Sequence, residues 1–238
     1  MNANISLDRR VDTRRGIVRW LRRESMGLLS LAVILFVSAG RLDWVMGWAF
    51  FGVMALWVAA TALVLIPRNP ELLLERLGPK KGGKSWDTAI LGIYGLATMI
   101  RLILAGLDMR YGWTTGLSLP IQIAALVVTA LAYALVVWAT ASNAFFSQVV
   151  RIQTERGHTV ATGGPYRYVR HPSYVGIIII ELAAPFALGS AWALIPGVLA
   201  ALLFVVRTAL EDRTLQAELK GYDDYARQVR YRLMPGVW

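Results

Sequence analysis

The sequence predicts an all-α fold, a polytopic membrane helix bundle. Three stretches carry no charge at all, Trp44 to Pro67, Tyr111 to Val150 and Leu182 to Val206, and each reaches the roughly 20 residues that cross a hydrocarbon core of about 30 Å. Mean hydropathy is +0.51 with 17% charged residues, a composition suited to lipid rather than water. Lys and Arg rise and fall in number from one interspan piece to the next, the pattern left by positive loops retained on one side of a bilayer.

Taken in order, the arginine-rich residues 1–25 form a basic segment, and Met26–Gly40 reads as the first retained span, with Ile17 to Leu21 lying at the interface. VSAGRLDW offers a poor signal-cleavage site and a second span follows at once, which argues against a removed leader. Further spans are expected over Trp44–Ile66, Thr88–Leu107 and Leu119–Thr140. Pro172 to Val206 is too long for one span and is interrupted around Pro185, Gly189 and Ser190, so a helical hairpin of Pro172–Leu188 and Ala191–Val206 is expected, making about six spans. Between the second and third spans, RNPELLLERLGPKKGGKSWD predicts a short interfacial helix ending at Gly78-Pro79.

The basic residues number seven before Met26, one in the first loop, five between Pro67 and Asp87, one in the next loop, four between Gln148 and His171, none in the hairpin turn and six from Arg207 onward. This places both termini and the loop before the hairpin in the cytoplasm. The formal charge of +10 thus records orientation and attraction to anionic lipid, and nucleic acid is not an expected partner. The absence of cysteine excludes disulfides and thiolate chemistry. His158 and His171, thirteen residues apart, lack convincing carboxylate helpers, so no metal site is expected.

The chemistry concentrates in GGPYRYVRHPSYVG, residues 163–176, which holds two arginines, three tyrosines and His171 between apolar segments, with His158 just upstream. Gly163 and Gly164 let backbone approach a ligand, and Pro165 and Pro172 stiffen the loop. The alternative is a turn whose aromatics sit at headgroup level. After the last span, Arg207, Glu211, Leu215 and Glu218 share one face of an emerging helix, with Asp212 beside it and Gly221 expected to end it. Glu181, expected near the bilayer middle, is a functional candidate because an unpaired carboxyl there is costly. Arg101 is expected to snorkel outward with a structural role.

These residues resemble the isoprenylcysteine carboxyl methyltransferase family. The resemblance lies in Asn143-x-x-Phe146-Ser147, Gln153, Gly157-His158-Thr159-Val160, and Gly164-Pro165-Tyr166-Arg167-Tyr168-Val169-Arg170-His171-Pro172-x-Tyr174-x-Gly176. It continues in Glu211-Asp212, Leu215, Gly221-Tyr222, Tyr225 and Pro235, where the family's usual pair is Glu-Glu. It covers about the last hundred residues. The resemblance implies residues 26–140 as a substrate-selecting part and 141–238 as a methyltransferase part with a cytoplasmic S-adenosylmethionine pocket, S-adenosylhomocysteine being the product. Gln153, His158, Val160, Gly164, Tyr166, Tyr168, His171 and Tyr174 would line that pocket and Glu211 would close it, while Arg170, Pro172 and Gly176 would hold the loop's shape.

The family resemblance further implies a lipophilic or prenylated acceptor reached from the membrane. A carboxylate acceptor needs no general base, and Arg170 or Arg207 would orient it, unless Glu211 satisfies them. An amine acceptor, as in phospholipid N-methylation, would need Glu211 or Asp212 as base. A non-catalytic transporter or scaffold remains the reading that Glu181 and Arg101 would favour.

Overall fold

The computed structural model describes residues 2–75, 77 and 82–238, with side chains from Thr13 onward. Its helices are α1 Asn2–Ala39, α2 Val45–Arg68, α3 Pro70–Glu75, α4 Ser85–Tyr111, α5 Leu119–Ala141, α6 Pro172–Ala187, α7 Leu194–Glu218 and α8 Tyr222–Gln228, with 3-10 turns at Thr154–Arg156 and Gly164–Arg167. The architecture is the expected polytopic membrane helix bundle. Four helices, α2, α4, α5 and α7, are long and apolar enough to cross a membrane, and the shorter apolar α6 packs among them. The other expected span is the second half of α1, which runs unbroken out of the basic segment.

α6 lies against α5 and α7, while α4 bridges α1 and α7. Close approach depends on small residues, the usual device where lipid gives no hydrophobic drive between helices. A Cβ on Gly176 would come within 2.8 Å of the Ala132 carbonyl of α5, and one on Gly197 within 2.5 Å of the Glu181 carbonyl of α6. Pro185, having no N–H, leaves that Glu181 carbonyl without its helical donor. Pro185 therefore sits inside α6 rather than at the hairpin break, which falls at Gly189 with φ +71 and Ser190.

At the hairpin end of the bundle, buried Asp108 accepts from the Thr114 amide at 2.7 Å, the Thr114 hydroxyl at 2.6 Å and Ser190 at 2.5 Å, tying α4 to the turn. At the other end, buried Asp87 in the first turn of α4 accepts from the Val150 amide and from Arg207 Nε, each at 2.7 Å. Residues 142–171 thereby fold back over the mouth of the bundle.

Two expectations change and a third cannot be placed. Arg101 does not snorkel: it is buried, with Nε 3.5 Å from Glu181 Oε2, because the carboxylate of α6 faces it across the bundle. Gly221 does not end α7. That helix stops at Glu218, and Gly221, with φ +85, begins α8. The interfacial helix α3 stops at Glu75, and the expected end at Gly78-Pro79 lies outside the described residues.

Gly197→Leu would force α6 and α7 apart and should cost about 1–3 kcal/mol. Gly52→Leu, at a position where a Cβ meets nothing within 4 Å, should be near neutral. Thermal unfolding of both variants in one detergent checks the contrast.

Candidate functional site

The loop before α6 is held by backbone first. The amides of Arg170 and His171 donate to the carbonyls of Tyr231 and Arg232, each at 2.9 Å, so the C-terminal segment pairs with the RHP stretch. Pro172 then starts α6, its missing N–H harmless at a helix N-terminus.

Side chains converge on Asp212 of α7, which is fully buried. Arg170 makes a bidentate pair with it, Nε to Oδ1 at 2.7 Å and Nη2 to Oδ2 at 2.9 Å. Arg232 donates at 2.8 Å, Gln216 at 2.8 Å and the Tyr222 hydroxyl at 2.9 Å, with His171 Nε2 3.3 Å away. A carboxylate enclosed by these donors has no lone pair to spare for a substrate proton. The expectation that Asp212 could act as a base is therefore corrected. Burial, then the Asp212 charge, pushes the Tyr222 hydroxyl far up from its ordinary value, so it stays a donor.

Neither candidate arginine pairs with Glu211, the alternative to their orienting an acceptor. Arg170 spends Nη1 on the carbonyls of Val229 and Arg230, so most of its donors are committed to holding the loop and the C-terminal segment. Arg207 pairs with Asp87 and donates Nη2 to the Gln148 carbonyl at 2.9 Å, while its guanidinium lies 5.1 Å over the Tyr174 ring. Its Nη1 has no hydrogen-bond partner among the described residues.

A cavity of about 420 Å³ opens between this loop, α7 and the spans, within the range of small-molecule sites. Of the expected site residues, His158, Val160, Tyr166, His171, Tyr174, Arg207 and Glu211 line it, and so does part of Arg170. Glu211 accepts a hydrogen bond from the Tyr174 hydroxyl and makes no ion pair among the described residues. The His158 ring rests on Phe145, centroids 4.7 Å apart, and its Nδ1 accepts from the Gln153 amide at 3.3 Å. Burial, then the Arg151 and Arg156 cations, hold the imidazole below its ordinary value. Burial also raises the Tyr166 hydroxyl, which stays protonated.

Gln153, Gly164 and Tyr168 do not line the cavity. Gln153 is fully buried, donating to the Phe145 carbonyl at 2.6 Å and accepting from Arg156 at 2.6 Å, and so shapes the loop. Gly164, with φ +57, lies against Ser142, where a Cβ would collide. Tyr168 points outward and is 65% exposed. The cavity also reaches residues that the motif did not indicate: Trp20, Trp57, Leu91, Tyr94 and Ile177, from α1, α2, α4 and α6. These carry no polar spacing that sequence could flag. The site thus has a polar mouth, where Arg170 is bound up in structural contacts and Glu211 is not, and an apolar extension among the spans.

The family model described as isoprenylcysteine carboxyl methyltransferase (ICMT) matches residues 122–217, from early α5 to near the end of α7. The Lamin-B receptor of Drosophila melanogaster is 33% identical over 97 residues, 39% of this chain and 13% of that protein. The Protein-S-isoprenylcysteine O-methyltransferase of Schizosaccharomyces pombe is 44% identical over 45 residues, 19% of each. The matches thus span less than a fifth of either curated relative. The resemblance to this methyltransferase family, drawn from the RHP loop and the Glu211-Asp212 ending, holds over the matched residues.

Asp87→Asn should cost about 3 kcal/mol, because it leaves the Arg207 cation buried without its partner; denaturation against wild type measures this. Lowering pH should loosen the His158 loop. Its ordinary value is 6.5 and its folded value lies lower, so the unfolded loop takes the proton first and stability falls as pH drops through and below 6.5. Proteolysis of residues 151–162 between pH 7.5 and 5.5 should accelerate in wild type and stay flatter in His158→Gln.

Proposed function

We propose that this chain is an integral membrane methyltransferase that holds S-adenosylmethionine in the cavity and methylates the carboxylate of a lipophilic acceptor, in the manner of isoprenylcysteine O-methylation. The observation that carries the reading is the cavity's division: a mouth with an unpaired carboxylate and aromatic faces, continuous with an apolar extension between membrane helices. Bound there, S-adenosylmethionine supplies a methyl group on a cationic sulfonium. The Glu211 carboxylate suits the positive charge of such a molecule. The matched family supports the same class of reaction.

The residues divide the work by what each still has free. Glu211 binds the donor's amino group, kept in place by the Tyr174 hydroxyl. His158 and Tyr166 form walls at the loop side, with His171 fixed against Tyr174 at 5.5 Å. Arg207 offers Nη1 to the acceptor carboxylate, its other donors being tied to Asp87 and Gln148. A carboxylate is already ionised at neutral pH, so alignment and exclusion of water, rather than proton removal, are what the protein must provide. The loop end of the bundle is the cytoplasmic end on this reading, since it carries the larger groups of Lys and Arg.

The free Glu211 oxygen also suits a second acceptor, a lipid amine whose proton Glu211 would take. Rates from pH 6 to 9 separate the two: an amine acceptor slows as pH falls, a carboxylate acceptor changes little.

Calorimetry with S-adenosylhomocysteine should show binding that Glu211→Gln weakens at least about tenfold. Absence of binding to folded wild-type protein in lipid nanodiscs would contradict the reading.

A further inference from the structure

Tyr94 lines the apolar extension of the cavity, and what lies behind Tyr94 differs from the rest of its walls. The Tyr94 hydroxyl donates to Glu181 Oε1 at 3.0 Å. On the same face of α4, at helical spacings of four and three, follow Thr98 and Arg101. Arg101 and Glu181 face one another at 3.5 Å, both nearly sealed from solvent. Thr98 Oγ1, Arg101 Nε and Nη1, and Glu181 Oε2 have no hydrogen-bond partner among the described residues. Beside them, Tyr133 stacks on cavity-lining Trp57 at 5.0 Å.

Such a cluster is a poor neighbour for hydrocarbon. An apolar chain pushed past Tyr94 would displace its hydroxyl from Glu181 and add no partner to atoms that already lack one. The floor is also held rigidly from above. Tyr94 packs edge-on to Phe204 at 4.9 Å, and Phe204 edge-on to Tyr174 at 5.1 Å, at the mouth of the site.

We propose that Tyr94, anchored by the buried Glu181–Arg101 pair, is the floor of the acceptor channel and sets the longest apolar tail the protein accepts. This rests on the reading of the cavity as a lipophilic-acceptor site. Asp87 marks the level of the loop, and Tyr94 lies seven residues further along α4, roughly 10 Å at 1.5 Å per residue. The channel therefore favours a short or medium tail over a long one.

The test uses S-alkyl N-acetylcysteines with tails from octyl to hexadecyl, measured for binding and for methyl transfer to the full chain in nanodiscs. Without a floor, affinity rises about fourfold for each buried methylene. With it, the rise stops at an intermediate length and hexadecyl binds no better. Tyr94→Ala should move the stop to longer tails, and Leu91→Phe, one turn nearer the mouth, should move it to shorter ones. Affinity that climbs steadily to hexadecyl in wild type, a stop that neither variant moves, or no alkyl binding at all would each overturn the proposal. A stop that both variants move, without methyl transfer to any tail, would sustain the floor and instead refute the methyltransferase reading.

Discussion

Asp212 is the constraint on which the site depends. A carboxylate buried to this degree is tolerable only when its charge is matched by close donors, and its donors come from separate parts of the chain. Arg170 and His171 belong to the loop before α6, Tyr222 to α8, and Arg232 to the C-terminal segment. Satisfying one charge therefore fixes the loop, α7 and the chain's end relative to each other. Glu211, the residue before it, then faces the cavity rather than an arginine.

A second buried pair does for the membrane helices what Asp212 does for the loop. Asp87 and Arg207 join α4 to α7 at the level where the helices part to make the cavity, and the Val150 amide adds the returning chain to the same carboxylate. Arg101 and Glu181 repeat the arrangement deeper between α4 and α6, with poorer hydrogen bonding. The bundle thus carries ion pairs at successive depths, and Arg207 of the upper pair and Tyr94, bonded to the lower one, both line the cavity.

The helical architecture was legible because uncharged runs of membrane-spanning length admit few alternatives, and the loop was legible because polar residues between such runs are conspicuous. The emerging helix was legible too, since the three- and four-residue spacing of Arg207, Glu211, Leu215 and Glu218 persists after apolarity stops and α7 runs on to Glu218; what the charged residues pair with was not. Arg170, Gln153 and Gly164 carry motif signals, yet their partners are Asp212, the Phe145 carbonyl and the Ser142 side chain, so the motif marks loop shape as much as pocket wall. Trp20, Trp57 and Tyr94 were invisible because an aromatic in a span reads as ordinary packing until its neighbours are known.

The most direct test of the central claim is S-adenosylhomocysteine affinity in Asp212→Asn beside Asp108→Asn. Asp108 is a comparably buried acid at the far end of the bundle, and Asp212 does not itself line the cavity. If the Asp212 clamp builds the site, affinity falls at least about tenfold in Asp212→Asn, since a buried charge network loses its centre, and is kept in Asp108→Asn. Equal affinity in wild type and Asp212→Asn would contradict the account.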